Sequence, residues 1–501
     1  MSQQLARLVK TTVIYGLGQV LIRFISLLLL PLFTTYLTPT EYGISAVLGL
    51  LAVVLAPIFS IGLGTAIGTV YFHPDDPERR NKTIWTAFAI LGLSGLLLGL
   101  LGIAFGRGIS ELALQTPDYQ WLVTMSVWCI SLATAATPLQ LYLQLEERAI
   151  SYAVITVVVA LFSIALSISL VVVLRQGIWG LVEANLVSQA LAFVLFLLLA
   201  ARRLKPRLDL SLGQTLVRTG VPLIPGFAFL FIILQANKYL LQWFDGLDAL
   251  GVYSIGFNIG MVMNLVVVAF TTAWTPYFLA FSDRQDEARR LFGKIFTYYV
   301  FAFGALNLIF YFAAKPLVML MTDPDFHNAF VVVGPSATSQ FLLGVFSLLL
   351  PAMYFAQEVP FVTGIQAAAT VVAALANLLL IPPFGIAGAA AALAIGALAL
   401  VVAQLVWNLK RRRDYFGIAY EWNRVLKFAL IALLYIVPFV WNRSLPLQGE
   451  ALLSAAAALT LPSVLYLLLS RTERDAIWRL VNHWVLRRGL GERVGSDLKV
   501  T

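Results

Sequence analysis

Two basic residues lie inside long apolar stretches of this sequence. Arg23 stands about eleven residues into the stretch at 13–37, and Lys238 stands in a second one. An arginine at the centre of a bilayer costs about 2.5–3.5 kcal/mol on insertion scales, so such residues usually face the interior of a helix bundle. The two cations therefore predict a water-accessible cavity that contacts a negatively charged substrate.

Amide side chains accompany both cations at helical spacing. Gln19 precedes Arg23 by one helical turn, and Gln235 and Gln242 lie on the same helical stripe as Lys238. A structural role for Arg23, with carbonyls of a neighbouring helix as its partners, is the competing interpretation. The long stem of Lys238 equally allows its ammonium to reach the outer headgroups.

Other polar residues within apolar spans offer uncharged or acidic groups. Glu183 suits either an ion pair or the transfer of a coupling proton, and Asn258 suits hydrogen bonding to a sugar. Gln366, Thr370 and Asn377 share one face of a later span. Such groups equally stabilise contacts between membrane helices, where polar contacts average about 0.6 kcal/mol.

Pro222 and Pro225, next to Gly220 and Gly226, begin the seventh apolar span. Each proline removes a backbone hydrogen bond and permits a kink. This segment is the predicted hinge.

The sequence lacks the patterns that catalysis or a metal would need. No Gly-Lys-Ser/Thr phosphate loop occurs, and no loop large enough for a site carries paired acids. The three histidines are far apart and Cys129 is the single cysteine, so zinc ligation has no basis. We therefore expect that the protein is not an enzyme and has no cofactor. The energy for transport would come from a proton or sodium gradient or from the fate of the substrate.

Composition indicates a membrane protein. Hydrophobic residues make up 60% of the 501 positions and charged residues only 12%, and the mean hydropathy is +0.87. The net charge of +9 comes from basic residues in short loops, where they set topology rather than bind nucleic acid. Fourteen apolar segments are each long enough to cross a bilayer as a helix. They are 12–37, 42–71, 83–105, 119–145, 151–174, 177–201, 217–243, 249–278, 292–314, 328–356, 360–381, 385–407, 425–442 and 451–469.

The basic residues predict one orientation. Apart from the two intramembrane cations, only Arg107, Arg175, Lys315 and Arg443 fall on the outer side when the amino terminus is placed in the cytoplasm. This asymmetry predicts a multi-pass protein of the cytoplasmic (inner) membrane with both termini cytoplasmic.

Repeated segments predict two parallel six-helix halves. Gly177-Ile178-Trp179-Gly180 and Gly385-Ile386-Ala387-Gly388 open the sixth and twelfth spans, 208 residues apart. The predicted domains are residues 1–210, residues 211–412, two extra membrane helices at 413–470 and a cytoplasmic amphipathic tail at 471–501. Substrate sites in parallel repeats lie near the membrane midplane at the repeat interface.

With these residues in view, the chain resembles the polysaccharide-transport flippases, the Wzx-like, O-antigen branch of the multidrug/oligosaccharidyl-lipid/polysaccharide (MOP) exporter superfamily. The resemblance covers essentially the whole chain. It rests on Gly16, Gln19 and Arg23, on the turn Leu37-Thr38-Pro39-Thr40-Glu41-Tyr42-Gly43, on Gly220-Val221-Pro222, on Leu250-Gly251-Val252-Tyr253-Ser254, and on the Gly-Ile-x-Gly turns.

The resemblance implies an all-α fold of two six-helix bundles in a V, plus two helices that form a groove for a lipid tail. It implies alternating access and a polyprenyl-pyrophosphate-linked oligosaccharide as cargo, in contact with membrane lipids and with polysaccharide polymerase or ligase machinery. We then expect Arg23, together with Lys238, to bind either the pyrophosphate or an acidic sugar. Relatives often have an acidic residue just before the cation of the seventh span, where this chain has Asn237.

Three alternatives stay open. A lipid II flippase shares every feature above. A cation-coupled multidrug exporter shares the architecture but needs an acid in its cavity, where this chain offers Arg23. A membrane-embedded polysaccharide polymerase or ligase would need a large outer loop, and the outer loops here are short.

Overall fold

The computed structural model is an all-α protein. It describes residues 25, 28–71, 76–146, 148–281, 284–358, 361–410, 417–441, 447–469 and 473–475, and these ranges contain no β-strand. The α-helices are α1 (Leu30–Tyr36), α2 (Pro39–Phe59), α3 (Leu63–Tyr71), α4 (Pro77–Leu114), α5 (Gln120–Leu145), α6 (Ala149–Ser167), α7 (Gly177–Ala201), α8 (Leu210–Gly220), α9 (Ile224–Gly260), α10 (Val262–Leu279), α11 (Gln285–Met321), α12 (Phe330–Leu349), α13 (Pro351–Phe355), α14 (Phe361–Lys410), α15 (Trp422–Trp441) and α16 (Leu447–Leu468).

Apolar helix faces identify a multi-pass membrane protein. Ten helices within the described ranges are long and apolar enough to cross a bilayer. Helix α4 is typical, because Leu93, Leu97 and Leu100 lie at helical spacing and are each more than half exposed. Such a stripe is stable only against lipid.

The predicted spans from the second to the fourteenth all lie in helical parts of the structure, although the second, seventh, eighth and tenth each cross a boundary between helices. Of the first span, the described residues include only the last part, with α1. Two span boundaries fall within continuous helical runs. Gly246 (φ 84°) divides α9 between the seventh and eighth spans, and Gly385 (φ 52°) divides α14 between the eleventh and twelfth. Glycine lacks the Cβ that makes positive φ costly.

The predicted second span, 42–71, is two helices rather than one. Ile61 and Gly62 both have positive φ, which ends α2 and starts α3 in a new direction. The backbone of Gly62 lies against the carbonyl of Gly220, so closely that a Cβ at Gly62 would overlap it. Hydropathy alone did not reveal this break, because the residues on both sides of it are apolar.

The chain divides into two compact units. The first comprises Met1–Gln285 and Ala314–Gly417, and the second comprises Asp286–Ala313 and Ile418–Thr501. The boundaries of these units differ from the boundaries of the proposed sequence repeat. The repeat boundaries at 210 and 412 stay a prediction.

A continuous apolar core in the first unit joins helices from both sequence halves. Ile44 of α2 and Leu122 of α5 belong to the same cluster of buried side chains as Tyr253 of α9 and Leu393 of α14. A separate cluster joins α3, α4, α5 and α7 to α8. Segments distant in sequence thus share one core.

The second unit has its own core and ionic contacts. Leu308 and Phe312 of α11 pack with Ala457 and Leu461 of α16. At one end, the Arg424 guanidinium donates to the Glu473 carboxylate at 2.7 Å. The two extra helices are therefore α15 and α16, and most of the predicted amphipathic tail lies outside the described residues.

We predict that Gly385→Ala destabilises the protein. A residue held in a sparsely populated backbone region costs about 1–3 kcal/mol, and the new Cβ would also meet the Asp245 carboxylate. The measurement is the apparent Tm of the full-length protein in detergent. Gly364→Ala in the same helix is the control, because open space surrounds it and alanine is favoured there by roughly 0.5–1 kcal/mol. Equal Tm values for the two variants would contradict the strain at Gly385.

Candidate substrate site

Helices α2 and α9 meet through two equivalent backbone contacts. Gly43 lies against the carbonyl of Leu247, and Gly251 lies against the carbonyl of Pro39, each so closely that a Cβ would overlap the oxygen. Gly43 and Gly251 are separated by the same interval as Pro39 and Leu247, the repeat interval of 208 residues. The two contacts are therefore equivalent: in each, a glycine of one half lies against the carbonyl that is four residues before the matching glycine of the other half.

A hydrogen bond lies at the centre of this contact. The Thr40 hydroxyl donates to the Asp248 carboxylate, and these two residues are again 208 positions apart. A residue can contact its own repeat equivalent only near a two-fold axis. If the predicted internal repeat is correct, its two-fold axis passes between the start of α2 and the second segment of α9.

The turn at residues 37–43 has a structural reason at almost every position. Thr38 and Glu41 form a reciprocal capping box that starts α2. The other carboxylate oxygen of Glu41 accepts a hydrogen bond from the Ile178 backbone N–H, at 2.9 Å, and so caps α7 as well. The Tyr42 ring packs edge-on against Phe326, with ring centroids 5.2 Å apart. The motif therefore joins three segments that are distant in sequence.

Each sequence half has a carboxylate beside the glycine that starts a helix. The two carboxylates do not occupy equivalent positions of the repeat. Glu41 contacts Gly177, at the start of α7, and Asp245 contacts Gly385, at the start of the second segment of α14. Both glycines have positive φ. A carboxylate near the positive end of a helix dipole is stabilising.

Lys238 lies in the seventh span, and its ammonium lies over an aromatic ring of the eighth. Its ammonium lies 3.7 Å from the ring centroid of Phe257, and the residue is half-buried. No ion pair joins it to an acid within the described ranges. The negative face of an aromatic ring attracts a cation, which stabilises the ammonium at this position.

The amides near Lys238 separate into different environments. Gln242 donates to the Ala113 carbonyl at 2.6 Å, a contact between α9 and α4. The Gln235 side-chain oxygen is buried without a hydrogen-bond partner in the described structure. Asn237 donates to the buried Tyr253 hydroxyl. The side-chain oxygens of Asn237 and Gln242 are likewise buried without a partner. These two amides therefore differ from Gln235 only in donating to a protein group.

The remaining predicted site residues are dispersed. Arg23 and Gln19 lie outside the described residues, so their positions stay a prediction. Asn258 is exposed on α9, and Glu183 is half-buried on α7 without an ion pair to any described cation. Asn377 donates to the Ala373 carbonyl of its own helix.

The predicted hinge coincides with a change of helix type. Residues Val221–Leu223 form a 3₁₀ turn between α8 and α9, with Pro222 exposed and Pro225 in the first turn of α9. Gly220 contacts the Ile61 carbonyl at the break between α2 and α3. Motion at this turn stays a prediction.

At the other end of α8, Asp209 caps the helix by accepting from the backbone N–H groups of Ser211 and Leu212. Hydrogen bonds from the Ser211 side chain and the Leu212 backbone lower the pKa of Asp209. The carboxylate therefore stays ionised and keeps capping α8 at neutral pH.

Two cavities lie in the first sequence half. Cavity A, about 410 Å³, is an open cavity between α2, α5 and α7, and its lining residues include Ser45, Ser126 and Cys129. Cavity B, about 400 Å³, is an open cavity between α5, α6 and α7, and its lining residues include Gln140, Tyr152 and Thr156. Both volumes fall within the range of about 300–1,000 Å³ that is usual for ligand pockets.

Asn185 and Gln189 of α7 line both cavities. Sequence reasoning missed them, although a signal was present: Asn185, Ser188 and Gln189 lie at i, i+3 and i+4 in an otherwise apolar span. The Ser188 hydroxyl is satisfied by the Ala184 carbonyl at 2.6 Å. The side chains of Asn185 and Gln189 form no hydrogen bond to a described residue.

A family model described as "Polysaccharide biosynthesis protein" matches residues 8–282, more than half of the chain. The chain belongs to this family. None of the curated proteins compared with it matches.

Solved structures of MOP-superfamily transporters share its fold. A lipid II flippase, MurJ, in an inward closed conformation has a TM-score of 0.69 at 13% identity and covers 94% of this chain and 100% of its own. An inward-facing multidrug-resistance MATE transporter of the MOP superfamily has a TM-score of 0.64 at 12% identity and covers 78% of this chain and 98% of its own. A MOP transporter from Pyrococcus furiosus has a TM-score of 0.55 at 14% identity and covers 81% and 95%. At these identities the likeness establishes the fold.

We predict that Glu41→Ala lowers thermal stability more than Glu41→Gln does. Alanine removes the acceptors that cap α2 and α7, and loss of a cap costs about 0.5–2 kcal/mol, whereas the glutamine amide oxygen can still accept from Ile178. Thermal unfolding of the purified full-length protein measures the difference. Glu111→Ala is the control, since Glu111 is exposed on α4 and contacts only Arg107. An unchanged Tm in Glu41→Ala would show that the bond to Ile178 contributes nothing.

Proposed function

We propose that this chain is a flippase that moves a polyprenyl-pyrophosphate-linked oligosaccharide across the cytoplasmic membrane by alternating access. The observation that carries the proposal is the Lys238 ammonium, held inside a membrane helix on the Phe257 ring without a carboxylate partner in the described ranges. Because the chain belongs to the polysaccharide biosynthesis family, we infer that the ligand of this cation is an anionic, lipid-linked sugar.

The chemistry of the cargo explains why a cation is needed. A pyrophosphate that crossed hydrocarbon unpaired would meet a prohibitive desolvation cost. Lys238, with Arg23 as a second cation, offsets that cost by pairing with the phosphate oxygens, and both side chains form charge-assisted hydrogen bonds. The polar head then crosses within the protein while the polyprenyl tail stays in lipid.

The proposed orientation follows from the basic loops, with both termini in the cytoplasm. Under this orientation the start of α2 and the second segment of α9 lie at the outer side. The Thr40–Asp248 hydrogen bond would then close the outer end of the path between the halves. Export requires this contact to separate, and a proton or sodium gradient would supply the energy.

The charge of the cavities favours a lipid-linked sugar over a cationic drug. Neither cavity A nor cavity B has a carboxylate among its described lining residues. A multidrug exporter would need such an acid to bind its cargo. Discrimination between lipid II and other lipid-linked oligosaccharides requires a direct test with defined lipids.

We predict that Lys238→Ala and Arg23→Ala each slow flipping of undecaprenyl-pyrophosphate-linked oligosaccharide. A hydrogen bond to a charged group contributes roughly 1.5–3 kcal/mol, so the rate should fall roughly 10- to 100-fold. The measurement is the protection of the sugar from a membrane-impermeant glycosidase in proteoliposomes, with and without ion gradients.

Charge-preserving variants complete that test. Lys238→Arg and Arg23→Lys should retain most of the rate, and Lys205→Ala, at an exposed site, should leave it unchanged. Normal flipping in both alanine variants would refute the assignment of the two cations. Absence of flipping by the wild-type protein with every gradient would refute the proposed function.

We also predict that a disulfide between positions 40 and 248 stops transport. Thr40→Cys and Asp248→Cys are introduced into a Cys129→Ser background, and the cross-link holds α2 against α9. Flipping should fall to the level of protein-free vesicles after oxidation and recover after reduction. The single-cysteine variants, oxidised in parallel, serve as controls. Undiminished flipping by the cross-linked protein would mean that this contact stays closed throughout the transport cycle.

A further inference from the structure

Cavities A and B are arranged in series along α7. Cavity A is bounded by the first halves of α5 and α7, and cavity B continues toward their second halves, where Gln140 and Phe196 line it. Gln189 stands at the midpoint of α7, about 18 Å along the helix axis from Gly177 at 1.5 Å per residue. The amides shared by the cavities therefore lie near the middle of the membrane.

The polar groups that line these cavities are uncharged. Hydroxyl and amide groups come from Ser45, Ser126, Thr156, Asn185 and Gln189, and no described lining residue is a carboxylate, ammonium, guanidinium or imidazole. An amide offers donors and an acceptor together, which is what a sugar hydroxyl requires.

Asn185 and Gln189 differ from most polar groups in this protein. Neither side chain forms a hydrogen bond within the described residues, whereas Asn264, Gln340 and Asn408 in the second sequence half are bonded to protein groups. Unpaired amides within a membrane helix are stable only when water or a ligand satisfies them.

Cavity B also contains an aromatic surface. The rings of Tyr152 and Phe196 lie 6.0 Å apart with an interplanar angle of 37°, and both line the cavity. Amides beside aromatic faces suit a ligand that has polar edges and less polar faces. A pyranose ring has this character.

The internal repeat shows that these features are specific to one half. The repeat interval of 208 residues relates Asn185 to Leu393 and Gln189 to Ala397. Leu393 is 1% exposed and Ala397 is fully buried. The same interval relates Ser45 to Tyr253, which is also fully buried. The positions that line a cavity in the first half are thus filled by packed apolar or aromatic side chains in the second.

We propose that cavities A and B bind uncharged sugar residues of the cargo, with Asn185 and Gln189 as the hydrogen-bonding centre. This inference rests on the proposed function and extends it. The cations select the lipid pyrophosphate, and the first sequence half selects the glycan by its hydroxyl groups.

The test compares two lipids in proteoliposomes of the full-length protein. One is undecaprenyl pyrophosphate bearing a neutral oligosaccharide, and the other is undecaprenyl pyrophosphate alone. We expect the ratio of their flipping rates to fall about tenfold in Asn185→Ala and in Gln189→Leu, because a sugar loses its hydrogen-bond partners. Gln214→Leu, at an exposed position on α8 outside both cavities, should leave the ratio unchanged.

The single cysteine supplies an independent readout. Cys129 lines cavity A, so maltotriose bound there should slow its modification by N-ethylmaleimide about threefold or more, relative to betaine of equal osmolarity. This protection should disappear in Gln189→Leu, and Cys129→Ser confirms that the label reports this site.

The outcomes separate the two proposals. Protection of Cys129 together with a reduced rate ratio supports the sugar site. An unchanged ratio in both variants, or no protection in the wild-type protein, overturns it. If the wild-type protein moves neither lipid, the proposed function is wrong, and the protection of Cys129 alone decides whether the cavities bind sugar.

Discussion

The close approach of α2 to the second segment of α9 is the contact on which the arrangement of the first unit depends. Glycine faces a backbone carbonyl in both directions, at Gly43 and at Gly251, and no larger residue fits at either place. Small residues at helix contacts are the usual means of tight packing in a membrane, where apolar side chains gain little by leaving lipid. The helix ends held by Glu41 and Asp245 lie beside this contact, so the starts of α7 and of the second segment of α14 are fixed relative to it.

The contact between α2 and α9 is symmetric, but the polar residues of the two sequence halves are not. Two halves with one origin would present similar interiors, yet Asn185 and Gln189 line open cavities while Leu393 and Ala397 lie in packed helix contacts. Filling an interior with apolar side chains is the more stable arrangement in hydrocarbon. The open cavities beside Asn185 and Gln189 and the Lys238 cation on Phe257 thus lie in different sequence halves.

Much of the fold could be predicted because hydropathy and glycine have local causes. Apolar runs must become helices in a bilayer, and Gly246 and Gly385 separate consecutive spans at the predicted places. The break at Ile61 was missed because its cause is a distant partner, the backbone at Gly220. Likewise Gln242 shares a helical stripe with Lys238 in the sequence, yet its amide is used by the Ala113 carbonyl. The spacing of residues in the sequence predicts which side chains lie on the same face of a helix. It does not predict which neighbouring helix each side chain contacts.

The sequence by itself determined that this chain is an all-α membrane protein with a cation inside the seventh span, and it predicts a repeat at an interval of 208 residues. Composition, periodicity and chain order suffice for these conclusions, because the bilayer permits few solutions. The tertiary structure alone decided that Thr40 contacts Asp248, 208 positions away, and that Asn185 and Gln189 line cavities while Gln242 and Asn408 donate to backbone carbonyls. Those outcomes depend on contacts between helices far apart in the chain, and the local sequence of one helix carries no record of the surface that packs against it.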